Sequence, residues 1–327
     1  MKKFNIAILG LGTVGGGTYD ILKKNHDLIA RRTGADYQVT RILEISDKAV
    51  AAHGVDPSMV AADADDILTA DDIDIVVEAL GGIEPATGFM LKAMENGKSV
   101  VTPNKAAVAA SYKKLGETAR ENGVHFRFEA SVGGGIPCLA GISESLAANE
   151  FSEIHGILNG TTNYILTKMG EDGRSYDDVL KEAQEKGFAE ADPTADVEGI
   201  DAANKLSILM ALAFDQYIPP MDIPRTGITG VTGEQLRAAR ERGCCIKLIA
   251  HAARKEDGSL SCDIRPTEIP FSHPLAGVNN EFNAVYVTGD AVGEVMFYGK
   301  GAGALPTGSA VVGDLIAIMK QLSTGCR

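Results

Sequence analysis

The chain contains 327 residues, of which 45% are hydrophobic and 23% charged, a composition typical of a soluble globular protein. Its length predicts about two domains of ordinary size. Lysine and arginine total 31 against 44 aspartates and glutamates, and the net charge of −13 disfavours a nucleic acid or an anionic membrane as partner, because both bind basic surfaces.

The five cysteines and six histidines are scattered along the sequence. They form no CxxC pair, no Cys/His cluster at zinc-binding spacing and no histidine motif beside a serine or cysteine nucleophile. The N-terminus leads directly into a strand pattern, without the apolar segment of a signal peptide. No apolar stretch reaches the roughly 18 residues of a membrane helix. We therefore expect a protein of the reducing cytoplasm.

Strand and helix patterns alternate through the first 130 residues. We predict strands at Phe4–Gly10, Tyr37–Ile45, Asp74–Ala79, Ser99–Thr102 and Val124–Glu129. We predict helices at Val14–Ala30, Pro85–Asn96 and Lys105–Asn122. This alternation is typical of the α/β class and predicts a Rossmann-type, doubly wound parallel sheet with helices on both faces.

The pattern changes after Ser131, where Gly133, Gly134, Gly135 and Pro137 mark a junction. We predict further strands at Cys244–Arg254, Ser259–Thr267, Val285–Val287 and Val295–Tyr298, the first two as a hairpin, and a terminal helix at Pro306–Leu322. A second α+β domain is expected at 131–300. The dinucleotide-binding domain is expected at 1–130, joined by the terminal helix at 301–327.

The most informative short motif is GxGxxG at the end of the first strand. Gly10 permits a tight turn, Gly12 lets a pyrophosphate approach the backbone, and Gly15 allows close packing of helix on strand. Thr13 and Val14 begin the helix, whose free N–H groups attract an anion. Because the motif follows a strand and opens a helix, we favour dinucleotide binding over a glycine-rich turn without a ligand.

Glu44, at the end of the second predicted strand, is the candidate ligand for the adenine ribose. A carboxylate there favours NAD, because it accepts hydrogen bonds from the ribose hydroxyls and repels a 2′-phosphate. Arg41 and Lys48 are near enough in sequence to leave NADP open. The alternative for Glu44 is a solvated loop carboxylate without a ligand.

Two lysines stand out. Lys105 follows a strand end, where open α/β sheets bind their ligands, although it could equally be a solvated lysine in the first turn of a helix. Asp201 and Lys205 lie four residues apart on a predicted helix that is apolar nearly all round after Lys205. A buried lysine is costly unless it is paired, so this pair is a candidate for proton transfer as well as a structural ion pair.

The chain resembles homoserine dehydrogenases over nearly its whole length. The motifs that carry the resemblance are GLGTVG at 10–15, EALGG at 78–82, SVVTPNKA at 99–106, EASVGGGIP at 129–137, LNGTTNYIL at 158–166, GFAEADPTADVEGIDAANK at 187–205 and GKGAGALPT at 299–307. The fifth and sixth are far more specific than GxGxxG.

This resemblance implies the reversible interconversion of L-aspartate 4-semialdehyde and L-homoserine with NAD(P)H, a step toward threonine, methionine and isoleucine. It implies that Lys205 donates the proton and that Lys105 is the second lysine of the active site. Glu190 and Asp201 match positions that bind the substrate's amino group, and Asp196 matches a further acidic site residue. Gly187 and Gly303 match backbone contacts to the cofactor. At the position where NADP-preferring relatives have a basic residue, Leu43-Glu44 favours NAD.

The resemblance also implies a monovalent cation, Na+ or K+, bound through Glu129, Val132, Gly134 and Ile136, and a homodimer formed by the second domain. Many family members carry a C-terminal ACT domain. This sequence ends soon after the predicted terminal helix and leaves no room for that domain, so the chain is either a naturally short form or a truncated one.

Two other functions compete with this interpretation. An acylating aspartate-semialdehyde dehydrogenase would need a reactive cysteine with a base, and Cys138 has no accompanying histidine motif. A non-catalytic NAD(H)-binding sensor would retain GxGxxG but would not need Lys105, Glu190, Asp201 and Lys205 together.

Overall fold

Two five-stranded sheets organise the computed structural model, which describes residues 2–324. In this part of the chain the strands are Lys3–Leu9 (β1), Asp36–Leu43 (β2), Ile75–Glu78 (β3), Ser99–Val101 (β4), Phe126–Arg127 (β5), Phe151–Ile157 (β6), Cys244–Arg254 (β7), Leu260–Pro270 (β8), Phe282–Gly289 (β9) and Gly293–Lys300 (β10).

The helices of the described residues alternate with these strands in the first half of the chain. They are Thr13–Lys24 (α1), His26–Thr33 (α2), Asp47–Ala52 (α3), Asp65–Leu68 (α4), Ala86–Glu95 (α5), Lys105–Glu121 (α6), Cys138–Ala140 (α7), Gly160–Asp172 (α8), Tyr176–Glu185 (α9), Thr194–Val197 (α10), Ile200–Ala213 (α11), Gly233–Glu241 (α12) and Ala304–Thr324 (α13). Short 3-10 turns lie at Pro57–Met59, Glu129–Ser131, Pro220–Asp222 and Pro274–Gly277, and a π-helical turn follows α7 at Gly141–Ser145.

The chain divides into two units. Unit 1 extends to Gly135 and resumes at Ala302, so it includes α13, and unit 2 is Ile136–Gly301.

The sheet of unit 1 is entirely parallel, with the strand order β2-β1-β3-β4-β5. Phe4, Ile6 and Ile8 of β1 pack on one face with α1, α2 and α13. Ala7 and Leu9 pack on the other face with α5 and α6. The alternation of side chains along a strand therefore buries both faces, and the predicted doubly wound parallel sheet is confirmed. The strand order reverses between β1 and β3, which is where open α/β sheets bind ligands.

The helix predicted at Val14–Ala30 is wrong as a single element. Asn25 separates α1 from α2, with φ −105° and ψ 19°. The carbonyl oxygen of Leu22, which would accept the next helical hydrogen bond, instead accepts the hydroxyl of Tyr37 on β2 at 2.8 Å. A tertiary hydrogen bond thus ends the helix at a point that its apolar pattern does not mark.

The sheet of unit 2 is antiparallel, with the strand order β10-β9-β6-β7-β8. The hairpin of β7 and β8 pairs without interruption from Cys244↔Pro270 to Arg254↔Leu260, as predicted for the turn between them. Helices α8 and α11 pack against β7. The central strand β6 was not predicted from the sequence. Among the described residues, no helix has both the length and the apolarity to cross a membrane.

Candidate functional site

The glycine loop of unit 1 joins β1 to α1 and has three different glycine environments. Gly10 has φ +93°, and a Cβ there would lie 2.9 Å from the carbonyl oxygen of Ala79, just after β3. A Cβ on Gly15 would lie 1.9 Å from the carbonyl oxygen of Gly10. A Cβ on Gly12 would meet no atom within 4 Å. The lack of a side chain at Gly10 and Gly15 therefore lets neighbouring backbone segments pack closely, whereas the space beside the Gly12 backbone is open.

The N-terminus of α1 faces the same loop. Gly12 is its N-cap and provides no side-chain hydrogen bond, so the first N–H groups of the helix, beginning at Thr13 and Val14, have no side-chain cap from that residue. Such N–H groups and the positive end of the helix dipole favour a phosphate. The residues predicted to hold the pyrophosphate are thus placed together.

Glu44 follows β2 and lies against this loop. Its Oε2 accepts the N–H of Leu11 at 2.6 Å, and its Oε1 accepts the N–H groups of Ile45 and Ser46 at 2.9 and 2.8 Å. The carboxylate is half-buried, and its hydrogen bonds link the loop after β1 to the loop after β2. It is therefore not simply a solvated loop residue. Arg41 forms two hydrogen bonds to Asp72, at 2.7 and 3.1 Å, and its guanidinium is therefore engaged away from Glu44.

Lys105 is the first residue of α6 and is half-buried. A buried network that sequence reasoning missed fixes this helix start. Glu78, fully buried at the end of β3, accepts the hydroxyl of Thr102 at 2.6 Å, and that hydroxyl oxygen accepts the N–H of Asn104 at 2.9 Å. Asn104 caps α6 through the N–H of Ala107. The only signal for this network in the sequence was a charged residue inside an apolar strand.

In unit 2, Asp201 and Lys205 face each other across one turn of α11. Lys205 Nζ donates to Asp201 Oδ2 at 2.7 Å and to the carbonyl oxygen of Leu158 at 2.6 Å. Both side chains are buried, with 7% and 9% of the Asp201 and Lys205 side chains exposed. The burial indicated by the apolar residues after Lys205 is therefore observed for both members of the pair.

Asn159, which sequence reasoning did not connect with these residues, joins them to Asp196. Its Nδ2 donates to Asp196 Oδ1 at 2.7 Å and to Asp201 Oδ2 at 2.9 Å. Its Oδ1 accepts the N–H of Thr162 and so caps α8. Because the amide uses both of its N–H bonds and its oxygen, its orientation is fixed.

Asp196 and Asp201 are two carboxylates that accept hydrogen bonds from the same amide nitrogen, Asn159 Nδ2. Burial, and secondly the Asp201 carboxylate, raise the pKa of Asp196, while hydrogen bonds from Asn159 and Thr161 oppose this rise. Two carboxylates held this close favour a cation between or beside them. The network therefore holds the buried ammonium group of Lys205 beside carboxylates that suit a further cationic group.

The remaining predicted residues lie on loops. Gly187, with φ +74°, follows α9, and Glu190 is exposed on the segment between α9 and α10. Gly303, with φ +123°, precedes α13 in unit 1. Positive φ at both glycines disfavours any side chain there.

The segment predicted to bind a monovalent cation has a bent, buried backbone. Gly133 and Gly134 have φ values of +71° and +56°. Glu129, Val132 and Gly134 are buried in unit 1, and Ile136, also buried, begins unit 2. The Ser131 hydroxyl is buried without a hydrogen-bond partner among the described residues. A buried polar atom of this kind beside left-handed glycines is compatible with an oxygen-ligated ion.

The chain is similar to homoserine dehydrogenases along most of its length. A sequence profile described as homoserine dehydrogenase matches residues 137–316, and one described as homoserine dehydrogenase, NAD binding domain, matches residues 10–129. A homoserine dehydrogenase of Bacillus subtilis (strain 168) is 42% identical over 326 residues, which cover 99% of this chain and 75% of that protein.

Solved structures give the same result. The crystal structure of a homoserine dehydrogenase from Thiobacillus denitrificans is 43% identical, has a TM-score of 0.96, and is matched over 100% of this chain and 75% of that chain. A hyperthermophilic archaeal homoserine dehydrogenase in complex with NADPH is 28% identical, has a TM-score of 0.82, and is matched over 97% of each chain.

Proposed function

Because this chain belongs to the homoserine dehydrogenase family, we propose that it catalyses the reversible reduction of L-aspartate 4-semialdehyde to L-homoserine with NAD(P)H, a step in amino-acid biosynthesis. The buried network of Asn159, Asp196, Asp201 and Lys205 carries this proposal, since it offers a proton donor and carboxylates within one unit. It also lies inside the matched family profile.

Unit 1 is the proposed nucleotide-binding domain, and unit 2 the catalytic and dimerisation domain. Gly10, Gly12 and Gly15, with the helix start at Thr13 and Val14, would hold the pyrophosphate. Glu44 would accept from the adenine ribose, and its position beside Leu11 supports this role. With Arg41 bound to Asp72, the mild preference for NAD remains our proposal. Gly187 and Gly303 would contribute backbone contacts.

The reduced nicotinamide, when bound, supplies a hydride to the aldehyde carbon. Lys205 then donates a proton to the carbonyl oxygen of the substrate as negative charge develops on that oxygen. Asp201 holds the ammonium group of Lys205 in position. Asp201 and Glu190 would bind the amino group of the substrate, and Asp196 would add negative charge. Lys105, placed at the start of α6, is proposed as the second lysine of the site.

We further propose that backbone carbonyls of Glu129, Val132, Gly134 and Ile136 bind Na+ or K+. The Ile136 carbonyl oxygen accepts one hydrogen bond, from Cys138 N–H at 2.8 Å, and a carbonyl oxygen has a second lone pair for a hard cation. The ion would be bound by backbone oxygens around the left-handed residues Gly133 and Gly134.

A homodimer in the cytoplasm is our proposal for the assembled enzyme. Strand β10 directs Met296 and Tyr298 outward, and these residues are 38% and 50% exposed. Large apolar side chains on one side of a strand suit contact with a second copy. Sedimentation equilibrium on wild type and on Tyr298→Asp tests this, since the proposal expects the variant to dissociate more readily.

The competing functions are less well supported. The family match extends across the catalytic profile, which a non-catalytic NAD(H) sensor would not require. Cys138, the candidate nucleophile of an acylating enzyme, is fully buried. An accessible thiolate is needed for that chemistry.

An initial-rate assay tests the proposed reaction. Purified protein is mixed with L-homoserine and either NAD+ or NADP+, in KCl, NaCl or choline chloride, and the absorbance of the reduced nicotinamide is followed. The proposal expects homoserine-dependent reduction, faster with NAD+ and supported by K+ or Na+. Reduction of neither coenzyme would refute the proposed activity, and equal rates in choline chloride would refute only the cation site.

A further inference from the structure

Three side chains on one face of the unit 2 sheet bring metal-ligating atoms together. Glu153 and His155 lie on β6, and His251 lies opposite His155 on β7. The Nε2 atoms of both histidines lie 2.9 Å from the same oxygen, Glu153 Oε1. The potential ligand atoms of the three residues are all within 4.8 Å of one another. None of these residues belongs to the proposed catalytic network.

A fourth residue, Asp263, lies beside the other ring nitrogen of His251. Asp263 lies opposite His251 on β8, with its Oδ1 3.5 Å from His251 Nδ1. The other oxygen of Asp263 accepts Arg265 Nε at 2.7 Å, which restrains the carboxylate. A carboxylate against the far nitrogen of a metal-binding histidine is the usual support for such a ligand, because it fixes the tautomer and raises the basicity of the ring.

We propose that Glu153, His155 and His251 bind a divalent transition-metal ion of the Zn2+ class, with Asp263 as a positioning residue. Two imidazole nitrogens and one carboxylate oxygen suit Zn2+, Co2+ or Ni2+ better than Mg2+ or Ca2+, which prefer oxygen ligands. Three protein ligands leave the fourth tetrahedral position for water or another group.

The geometry needs only small changes to accept the ion. Bonds of about 2.1 Å at the tetrahedral angle separate ligand atoms by roughly 3.4 Å, about 0.5 Å more than the 2.9 Å from Glu153 Oε1 to each histidine Nε2. The ligands lie on paired strands, which hold their backbones in register. Their side chains are partly exposed in the single chain, 27% for each histidine and 42% for Glu153.

Metal binding to the 327-residue chain tests this site without reference to enzyme activity. Protein freed of metal with EDTA and then dialysed is titrated with ZnCl2 by calorimetry, and with CoCl2 while the visible absorption of tetrahedral Co2+ is recorded. We expect one ion per chain. Replacing both histidines (His155→Gln with His251→Gln) should abolish binding, and Asp263→Asn should weaken it about 10- to 100-fold.

The matched control is His26→Gln. His26 also contacts carboxylates, Asp27 at 3.4 Å and Asp36 at 3.1 Å, but lies in unit 1 and outside the group of potential metal ligands found among residues 2–324. This variant should bind Zn2+ as wild type does. If the double histidine variant misfolds by circular dichroism, Glu153→Gln replaces it and should lose the Co2+ spectrum. Undiminished binding in a folded ligand variant, or no stoichiometric binding by wild type, would overturn the proposal.

Discussion

Asp201 accepts the hydrogen bond of Lys205 at 2.7 Å on the same carboxylate oxygen, Oδ2, to which Asn159 donates at 2.9 Å. Both members of this ion pair are buried, and α11 holds them one helical turn apart. Because a buried ammonium without its carboxylate would be strongly disfavoured, the pair holds the Lys205 side chain in a fixed direction. In the proposed reaction Lys205 donates a proton from this position.

Replacing Lys205 by methionine removes the proposed proton donor while retaining most of the side-chain volume. We expect kcat for homoserine oxidation to fall about 10²- to 10⁴-fold, the range of general acid–base catalysis. The affinity for NADPH, measured by fluorescence titration, should remain within a fewfold of wild type. Lys181→Met, at an exposed position of α9, is the control and should keep full activity. Normal turnover by Lys205→Met would rule out the assigned role.

Two substitutions of Asn159 separate its two functions. Asn159→Ala loses both the cap of α8 and the amide donors to Asp196 and Asp201, whereas Asn159→Ser keeps a capping oxygen. We expect both variants to lose kcat/KM for homoserine by about 10- to 100-fold, the cost of hydrogen bonds to charged groups. Urea unfolding should show the alanine variant to be less stable than the serine variant by about 1 kcal/mol. Recovery of kcat/KM in the serine variant would show that the cap, and not the donors, matters.

Gly12 and Gly15 form a matched pair in the glycine loop. A methyl group on Gly15 meets the backbone oxygen of Gly10 at 1.9 Å, so Gly15→Ala should destabilise the fold by about 1–3 kcal/mol. A methyl group on Gly12 meets nothing within 4 Å, so Gly12→Ala should unfold at nearly the wild-type temperature but bind NAD(P)H more weakly. Thermal unfolding and cofactor titration measure the two effects. Wild-type cofactor affinity in Gly12→Ala would argue against a pyrophosphate at this position.

Lys247 provides a prediction of pH dependence. It is buried on β7 and donates to the carbonyl oxygen of Val278 at 2.7 Å and to Asn279 Oδ1 at 2.8 Å. Burial lowers its pKa from 10.5 to about 8. Because the folded state binds this proton less tightly than the unfolded state, its contribution to stability is present above pH 10.5 and is lost as the pH falls through about 8.

The stability of wild type relative to Lys247→Met should therefore rise between pH 8 and pH 10.5, by an amount on the order of 3 kcal/mol. Urea unfolding of both proteins across this range measures the difference, in which other titrating groups cancel. A difference that does not change with pH would show that Lys247 titrates normally in the folded protein.

The local parts of the fold could be predicted from the sequence. The turn at Gly10 and the hairpin after Arg254 depend on neighbouring residues, and both are confirmed. The central strand β6 was missed because its apolar residues Phe151, Ile154 and Ile157 are spaced by three, which fits a helix as well as a strand. Its partners β7 and β9, which are distant in sequence, decide between the two.

The candidate site was predictable only in part for the same reason. The spacing of Asp201 and Lys205 places them on one helix face, and the apolar residues after Lys205 indicate burial. By contrast, the link from Asn159 to Asp196 joins residues 37 positions apart, and the approach of His155 to His251 depends on the pairing of two strands. Spacing rules for metal ligands apply within one motif and cannot detect ligands that a sheet brings together.

Transfer of deuterium from labelled cofactor tests the proposed reaction most directly. The protein is incubated with L-aspartate 4-semialdehyde and NADH or NADPH in which both hydrogens at C4 of the nicotinamide ring are deuterium, and the product is examined by NMR and mass spectrometry. We expect L-homoserine with a single deuterium on its hydroxyl-bearing carbon, and almost none from Lys205→Met in the same time. Unchanged semialdehyde, or homoserine without deuterium, would contradict it.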